Sequence, residues 1–234
     1  MTREIVGCAL HTGSIVTCLL LATMLAGCTG LRERVGANNH SPVRAADGFV
    51  SLFDGKTLAG WEGSNEVFRI EDGAVVGGTL SAKVAHNDFL CTIASYDDFE
   101  LRLQCKLLGE NANAGIQIRS RRVPDHYEVS GYQADMGQQY WGCLYDESRR
   151  RKVLAQADAE NLREALKVGD WNEYVIRCEG PRIQLWLNGR QTVDYTEPDK
   201  AIEQTGLIAV QIHAGPASEA WYKDITIRAI EAAK

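Results

Sequence analysis

The sequence predicts an all-β domain: a sandwich or jelly roll of two antiparallel sheets, with one short helix in a loop. Three observations predict it. From Gly48 onward, short segments of alternating apolar and polar residues follow one another, separated by turn residues. The dipeptides Asp72-Gly73 and Asn188-Gly189 are strong hairpin signals, because both central positions of the favoured two-residue turn need positive φ. Only the stretch from Asp158 to Val168 spaces its leucines as a helix does, behind an aspartate able to cap it.

In chain order the strand-like segments are FVSLF, VFRI, AVVGG, FELRLQCKL, GIQIRS, HYEVSGYQADM, WGCLYDE, NEYVIRC, RIQLWLN, QTVDY, GLIAVQIHA and AWYKDITIRAI. VFRI and AVVGG flank Asp72-Gly73, and RIQLWLN and QTVDY flank Asn188-Gly189, so each pair reads as a hairpin. In FELRLQCKL and NEYVIRC, Cys105 and Cys178 fall on the apolar parity, where a thiol serves as a small buried hydrophobe. The segment from Ser148 to Asp170 is long for a hairpin connection, and is expected to wall or cover whatever site lies beside Glu147.

The chain has 234 residues, 45% of them hydrophobic, which suits one sizeable core. A formal net charge of -6, from 25 basic and 31 acidic residues without a long basic run, argues against a nucleic-acid partner. The N-terminus reads as an export signal: Arg3 precedes the apolar SIVTCLLLATMLAG, which is short for a membrane span. LAGC, Leu25 to Cys28, resembles the lipobox of bacterial lipoproteins, in which the cysteine is lipidated. The expected organisation is a signal peptide over 1–27, a flexible tether over 28–47 and a domain over 48–234, carried on the cell envelope. Cys91, Cys105, Cys143 and Cys178 then remain in an exported domain, enough for up to two disulfides, although Cys105 and Cys178 suit buried thiols equally well.

The polar parity of several strands is unusual. Gln117 and Arg119 alternate with Ile116 and Ile118, Gln133 shares a face with Asp135, and Tyr145 shares one with Glu147. Gln211 and His213 alternate with Val210 and Ile212, and Trp186 opposes Leu185 and Leu187. A merely solvated face carries Lys, Glu, Thr and Ser. Amides, titratable groups and an indole instead suit a polyhydroxylated ligand, since amides and carboxylates pair with hydroxyls and an indole stacks on a sugar ring.

The motifs FVSLFDGKTLAGW, AGIQIRSR, GYQADMG, YWGCLYDESRR, WNEYVIRCEGPRIQLWLNGRQTVDY and GLIAVQIHAGP followed by AWYKDI together resemble the 3-keto-disaccharide hydrolase domain family. The resemblance implies a concanavalin-like jelly roll acting on glycosides already oxidised to a ketone at C3. A C3 ketone acidifies the C2 proton, so a base can generate an enediolate, the C1 substituent departs by β-elimination, and water completes a net hydrolysis. His213 is the first candidate for the base, since imidazole titrates near neutral pH. Asp135 and Glu147 are candidates to orient it, replace it or protonate the leaving group. Arg119 is expected to hold the enediolate oxygen or a pair of hydroxyls, Gln117, Gln133 and Gln211 to position sugar hydroxyls, and Tyr145 and Trp186 to supply platform or proton-transfer contacts.

A divalent metal would stabilise the enediolate, with His213, Glu147 and Asp135 as available ligands, but no HExxH or EF-hand spacing identifies one. Nothing in the sequence suggests a nicotinamide or flavin site, so an oxidised glycoside implies a separate sugar oxidoreductase upstream. No GxSxG elbow or phosphate-cradling loop is present. The alternative from another class is a lectin-like carbohydrate-binding module that keeps the groove and performs no chemistry; the titratable cluster favours the enzyme.

Overall fold

The computed structural model describes residues 47–231; the expected signal peptide, Cys28 as the expected lipid acceptor and the expected tether up to residue 46 lie outside the described residues. Fifteen strands are described: β1 (Val50–Ser51), β2 (Trp61–Glu62), β3 (Phe68–Glu71), β4 (Ala74–Thr79), β5 (Asp88–Tyr96), β6 (Phe99–Leu108), β7 (Ala114–Arg122) and β8 (Val129–Met136) precede β9 (Leu144–Glu147) and β10 (Lys152–Ala155). After the helix α1 (Ala159–Ala165) come β11 (Asn172–Glu179), β12 (Arg182–Leu187), β13 (Arg190–Thr196), β14 (Gly206–Ile212) and β15 (Ser218–Ala229). They form two antiparallel sheets, one ordered β13-β12-β11-β6-β15-β4-β3 with β1 also on β15, the other β10-β9-β8-β7-β14-β5-β2. This is a jelly-roll sandwich.

Both hairpin dipeptides turn where their residues permit. Asp72 and Gly73 have φ of 49° and 73° between the paired Glu71 and Ala74, and Asn188 and Gly189 have 48° and 79° between Leu187 and Arg190. Asp158 caps α1, its carboxylate accepting from the Asn161 N–H at 2.8 Å.

The period-two apolar residues meet between the sheets. Ile116, Ile118, Tyr132, Ala134, Val210 and Ile212 of one sheet share a core with Leu101, Leu103, Tyr174, Ile176, Ile183 and Leu185 of the other. Each fully buried aliphatic side chain of this kind contributes roughly 1.5–3 kcal/mol. Cys91, Cys105, Cys143 and Cys178 are all buried and free, and burial pushes the Cys91 thiol up to about 11. They serve as small apolar groups.

Three strands differ from expectation. β5 is buried on both faces from Asp88 to Thr92, so its period-two signal is absent, and β2 is only two residues long. β10 lies within the connection after Glu147 and pairs with β9, with Lys152 opposite Asp146. The rest of that connection is not a cover: α1 packs on β13, the Asp158 N–H donates to Thr192 O at 2.9 Å, and the Asn161 amide donates to Gln191 O at 2.8 Å. It closes the flank between the sheets.

Candidate active site

The outer face of the second sheet carries the polar parity, because Ile116, Ile118, Val210 and Ile212 turn the opposite faces of β7 and β14 to the core. Register aligns the polar residues across strands. Gly115 pairs with both Asp135 and Gln211, and Gln133 pairs with both Gln117 and Tyr145. Gly115 is required here: a Cβ at this position would stand 2.4 Å from Cδ of Gln133, so the missing side chain lets that amide lie across the strand.

Asn113, Gln133, Asp135, Tyr140, Tyr145, Glu147 and His213 line one cleft of about 140 Å³. Its floor is a directed chain of hydrogen bonds. The Ser120 hydroxyl donates to Gln117 Oε1 at 2.8 Å, and Gln117 Nε2 donates to Gln133 Oε1, so the Gln133 amide N–H is left to face Asp135. Two core tyrosines hold the backbone beneath. Tyr174 donates to Asp135 O at 2.7 Å and Tyr222 donates to Gln211 O at 2.6 Å, tying the site strands to the opposite sheet.

Electrostatics separate the titratable groups. Burial pushes Asp135 up to about 8, the Glu147 charge adds to the rise, and hydrogen bonds from the Met136 backbone and the Gln133 and Asn113 side chains offset it only in part. Glu147 is also raised, first by burial and then by the neighbouring Glu128. The Nδ1 atom of His213 is 2.7 Å from Ala214 O; a carbonyl can only accept, so Nδ1 carries the proton and Nε2 is free to act as a base. The Ala214 N–H in turn donates to Asn87 Oδ1 at 3.0 Å, which fixes the turn that carries the imidazole.

The structure thus brings together Gln133, Asp135, Tyr145, Glu147 and His213. Gln211 lies in the same row, fully buried, with neither Nε2 nor Oε1 hydrogen-bonded to the protein. Gln117 sits beneath the cleft, and its amide is used by Ser120 and Gln133 rather than by a sugar hydroxyl.

Arg119 and Trp186 are corrections. The β7–β8 register shifts between Ile118 and Arg121, and Arg119 has φ of 47°, so β7 holds one extra residue and its parity inverts. Arg119 therefore leaves the polar face. Its fully buried guanidinium donates to Asp97 O at 2.8 Å, Gly180 O at 2.6 Å and Gln204 Oε1 at 2.5 Å, and pairs with Asp98 at 2.8 Å. It clamps loops instead of an enediolate. Trp186 belongs to β12 in the other sheet, beside Val175 and Gln184, and cannot stack on a ligand in this cleft.

Asn113, Tyr140, Asn87 and Glu128 went unnamed at the level of sequence. Asn113 continues the alternation of Gly115 and Gln117 by one step, a signal that could have found it. Tyr140 ends a single 3-10 turn, Gln138–Tyr140, which has no period to read. Glu128 is brought in by the bulge: beyond it the β7–β8 hairpin folds over the sheet, so Val129 packs on Phe89, Cys91 and Ala209, and Glu128 accepts from the Asn87 amide at 3.2 Å. Among the described residues no three His, Cys, Asp or Glu side chains gather as a metal-ligand set, so the trio His213, Glu147 and Asp135 does not fit one.

Among solved structures, a candidate glycosyl hydrolase from Parabacteroides distasonis ATCC 8503 is 18% identical, with a TM-score of 0.61 over 80% of this chain and 95% of that one. The carbohydrate binding module CBM66 from Bacillus subtilis is 14% identical, with a TM-score of 0.55 over 73% and 96%. A Bacillus subtilis protein of unknown function with a galectin-like fold is 10% identical, with a TM-score of 0.56 over 80% and 93%. These likenesses show a shared fold. No curated protein matches the chain. The model of the 3-keto-alpha-glucoside-1,2-lyase-like domain matches residues 48–228.

Proposed function

The chain belongs to the 3-keto-alpha-glucoside-1,2-lyase-like domain family, which gives it a carbohydrate-related function, and from that premise we propose that it cleaves 3-keto-glycosides by β-elimination followed by hydration. The observation that carries the reading is the meeting of a free imidazole nitrogen with one buried and one half-buried carboxyl group in one cleft. In this reading His213 Nε2 takes the C2 proton and the electron pair moves onto the C3 oxygen as an enediolate. Tyr145, whose hydroxyl burial and the nearby Glu147 hold protonated, donates to that oxygen. Asp135 is kept as an acid by burial and hands its proton to the departing glycosidic oxygen as the C1–O bond breaks and C1=C2 forms. Water then adds at C1 and the proton returns to C2. Gln133 and Gln211 bind hydroxyls of the reacting ring, the latter satisfying its own unpartnered amide.

Incubation of the protein with a 3-keto-glucoside and with its unoxidised parent tests the proposal. Release of the aglycone from the keto sugar alone supports elimination, whereas cleavage of the parent at a comparable rate overturns it. We also propose that Cys28 carries lipid and holds the domain on the cell envelope, where a separate oxidoreductase supplies the ketone. Incorporation of labelled palmitate that is lost in Cys28→Ser would support the anchor, and equal labelling would overturn it.

A further inference from the structure

His213 and Glu147 reach the cleft from opposite flanks. In the sheet order β9-β8-β7-β14, two strands separate the one that ends at Glu147 from the one that ends beside His213. Backbone pairing joins the two flanks only through β8 and β7.

One side chain ties them together. Glu128 ends the hairpin between β7 and β8, and its two carboxylate oxygens are engaged in different directions. Oε1 accepts from the Asn87 amide at 3.2 Å, and Oε2 accepts from the Ser148 hydroxyl at 3.0 Å. On the first flank the path continues: Asn87 Oδ1 accepts from the Ala214 N–H at 3.0 Å, and Ala214 O accepts from His213 Nδ1 at 2.7 Å. On the second flank it is one residue long, because Ser148 follows Glu147 and turns the chain there with φ of 48°.

The directions of these bonds are fixed. A backbone N–H can only donate, so the Asn87 oxygen faces Ala214 and the Asn87 amide N–H requires an acceptor, which Glu128 supplies. Glu128 is itself held from outside the cleft. The Val123 N–H donates to its carbonyl at 3.0 Å, its own N–H donates to His126 Nδ1 at 3.1 Å, and the adjacent Val129 packs on Phe89, Cys91 and Ala209. The tie is therefore anchored in the hairpin, independently of the groups it aligns.

From these bonds we infer that Glu128 is a positioning residue, whose carboxylate bridges the His213 turn and the end of the Glu147 strand and so aligns the imidazole for removal of the C2 proton. The inference rests on the lyase reading for its kinetic half. In Glu128→Ala the path to Ala214 is cut, while the backbone bond and the packing of the hairpin remain. For a 3-keto-glucoside kcat should fall by roughly 10–100-fold, the scale on which a misplaced reacting group acts, with KM unchanged. Glu128→Gln keeps an acceptor for Asn87 and a partner for Ser148, since a hydroxyl both donates and accepts. It should restore kcat to the parent value although the charge that helps to raise Glu147 is gone. Equal losses in the two variants, or a loss confined to KM, overturn the role. Asn87→Ala cuts the same path, so combining it with Glu128→Ala should lower kcat no further than either alone; multiplied losses overturn the path.

A second arm needs no turnover. In protein with isotopically labelled histidine nitrogens, NMR reads the tautomer of each imidazole, and the His213 pair is identified by its disappearance in His213→Gln. That pair should show the Nδ1–H form in the parent and in Glu128→Gln, and a mixture of tautomers in Glu128→Ala. An unchanged tautomer in Glu128→Ala overturns the inference. If no 3-keto-glycoside is cleaved, the lyase reading falls, and the nitrogen signals still decide the positioning role by themselves.

Discussion

At the scale of single residues, environment decides role. Asp135 and Asp146 lie on adjacent strands, and both are buried. Asp146 faces inward and meets Arg149 at 2.8 Å as well as Arg150, so its charge is compensated. Asp135 faces the cleft without a cation, and burial holds its carboxyl up to about 8. As a general acid it must be protonated, so kcat/KM for a 3-keto-glycoside should fall as pH rises through about 8. In Asp135→Asn a pH–rate profile should show rates lower by 10²-fold or more, on the order expected for a lost proton donor, with that alkaline limb gone. A surviving limb would move the acid role elsewhere. Arg119 has the opposite character, being wholly structural. Arg119→Ala leaves Asp98 and two backbone carbonyls without their donor, and should cost about 3 kcal/mol in chemical denaturation. The turnover of the molecules that remain folded should be preserved.

At the scale of elements, the bulge in β7 shapes the site. One extra residue inverts the parity at Arg119, brings the Ser120 hydroxyl onto Gln117, and lets the hairpin beyond it fold over the sheet as far as Asn87. The Asp-Gly and Asn-Gly turns and the capped helix act locally and stand apart from the chemistry. Asp158→Ala should lower stability by about 1 kcal/mol, read from the denaturation midpoint, and leave cleavage unchanged. A marked loss of turnover in that variant would restore α1 as a cover over the cleft. The core strands and both hairpins were legible because their signals are local: period two, and residues that accept positive φ. β5 was not, since a strand buried on both faces carries no alternation.

At the scale of the whole molecule, the buried site makes stability depend on pH. The carboxyl of Asp135 has an ordinary value of 3.8 when unfolded and is raised to about 8 when folded. Between these values the native state holds a proton that the unfolded state releases, so this group's contribution to stability falls as pH rises from about 4 to about 8. Asp135→Asn should therefore match the parent in thermal midpoint near pH 4 and exceed it at pH 8; an equal gap at both pH values would contradict the buried, uncompensated acid. Glu197 runs the other way. Burial alone would raise it, but Arg150 and Tyr132 hold it down to about 2, so its contribution is present above 4.5 and is lost as pH falls toward 2.

The sequence by itself determined the sandwich, its two tight turns, and the face of each strand on which Gln133, Asp135, Tyr145, Glu147, Gln211 and His213 lie. Alternation along a strand is a local property, and burial of the apolar parity leaves the polar parity facing outward. Only the tertiary structure decided which strands share a sheet, and so excluded Trp186, whose outward face belongs to the opposite layer. Only it placed the one-residue bulge that withdrew Arg119 from the cleft, and only it set the burial that keeps Asp135 an acid. Sheet membership, register and desolvation each depend on partners distant in the chain, which no local period encodes.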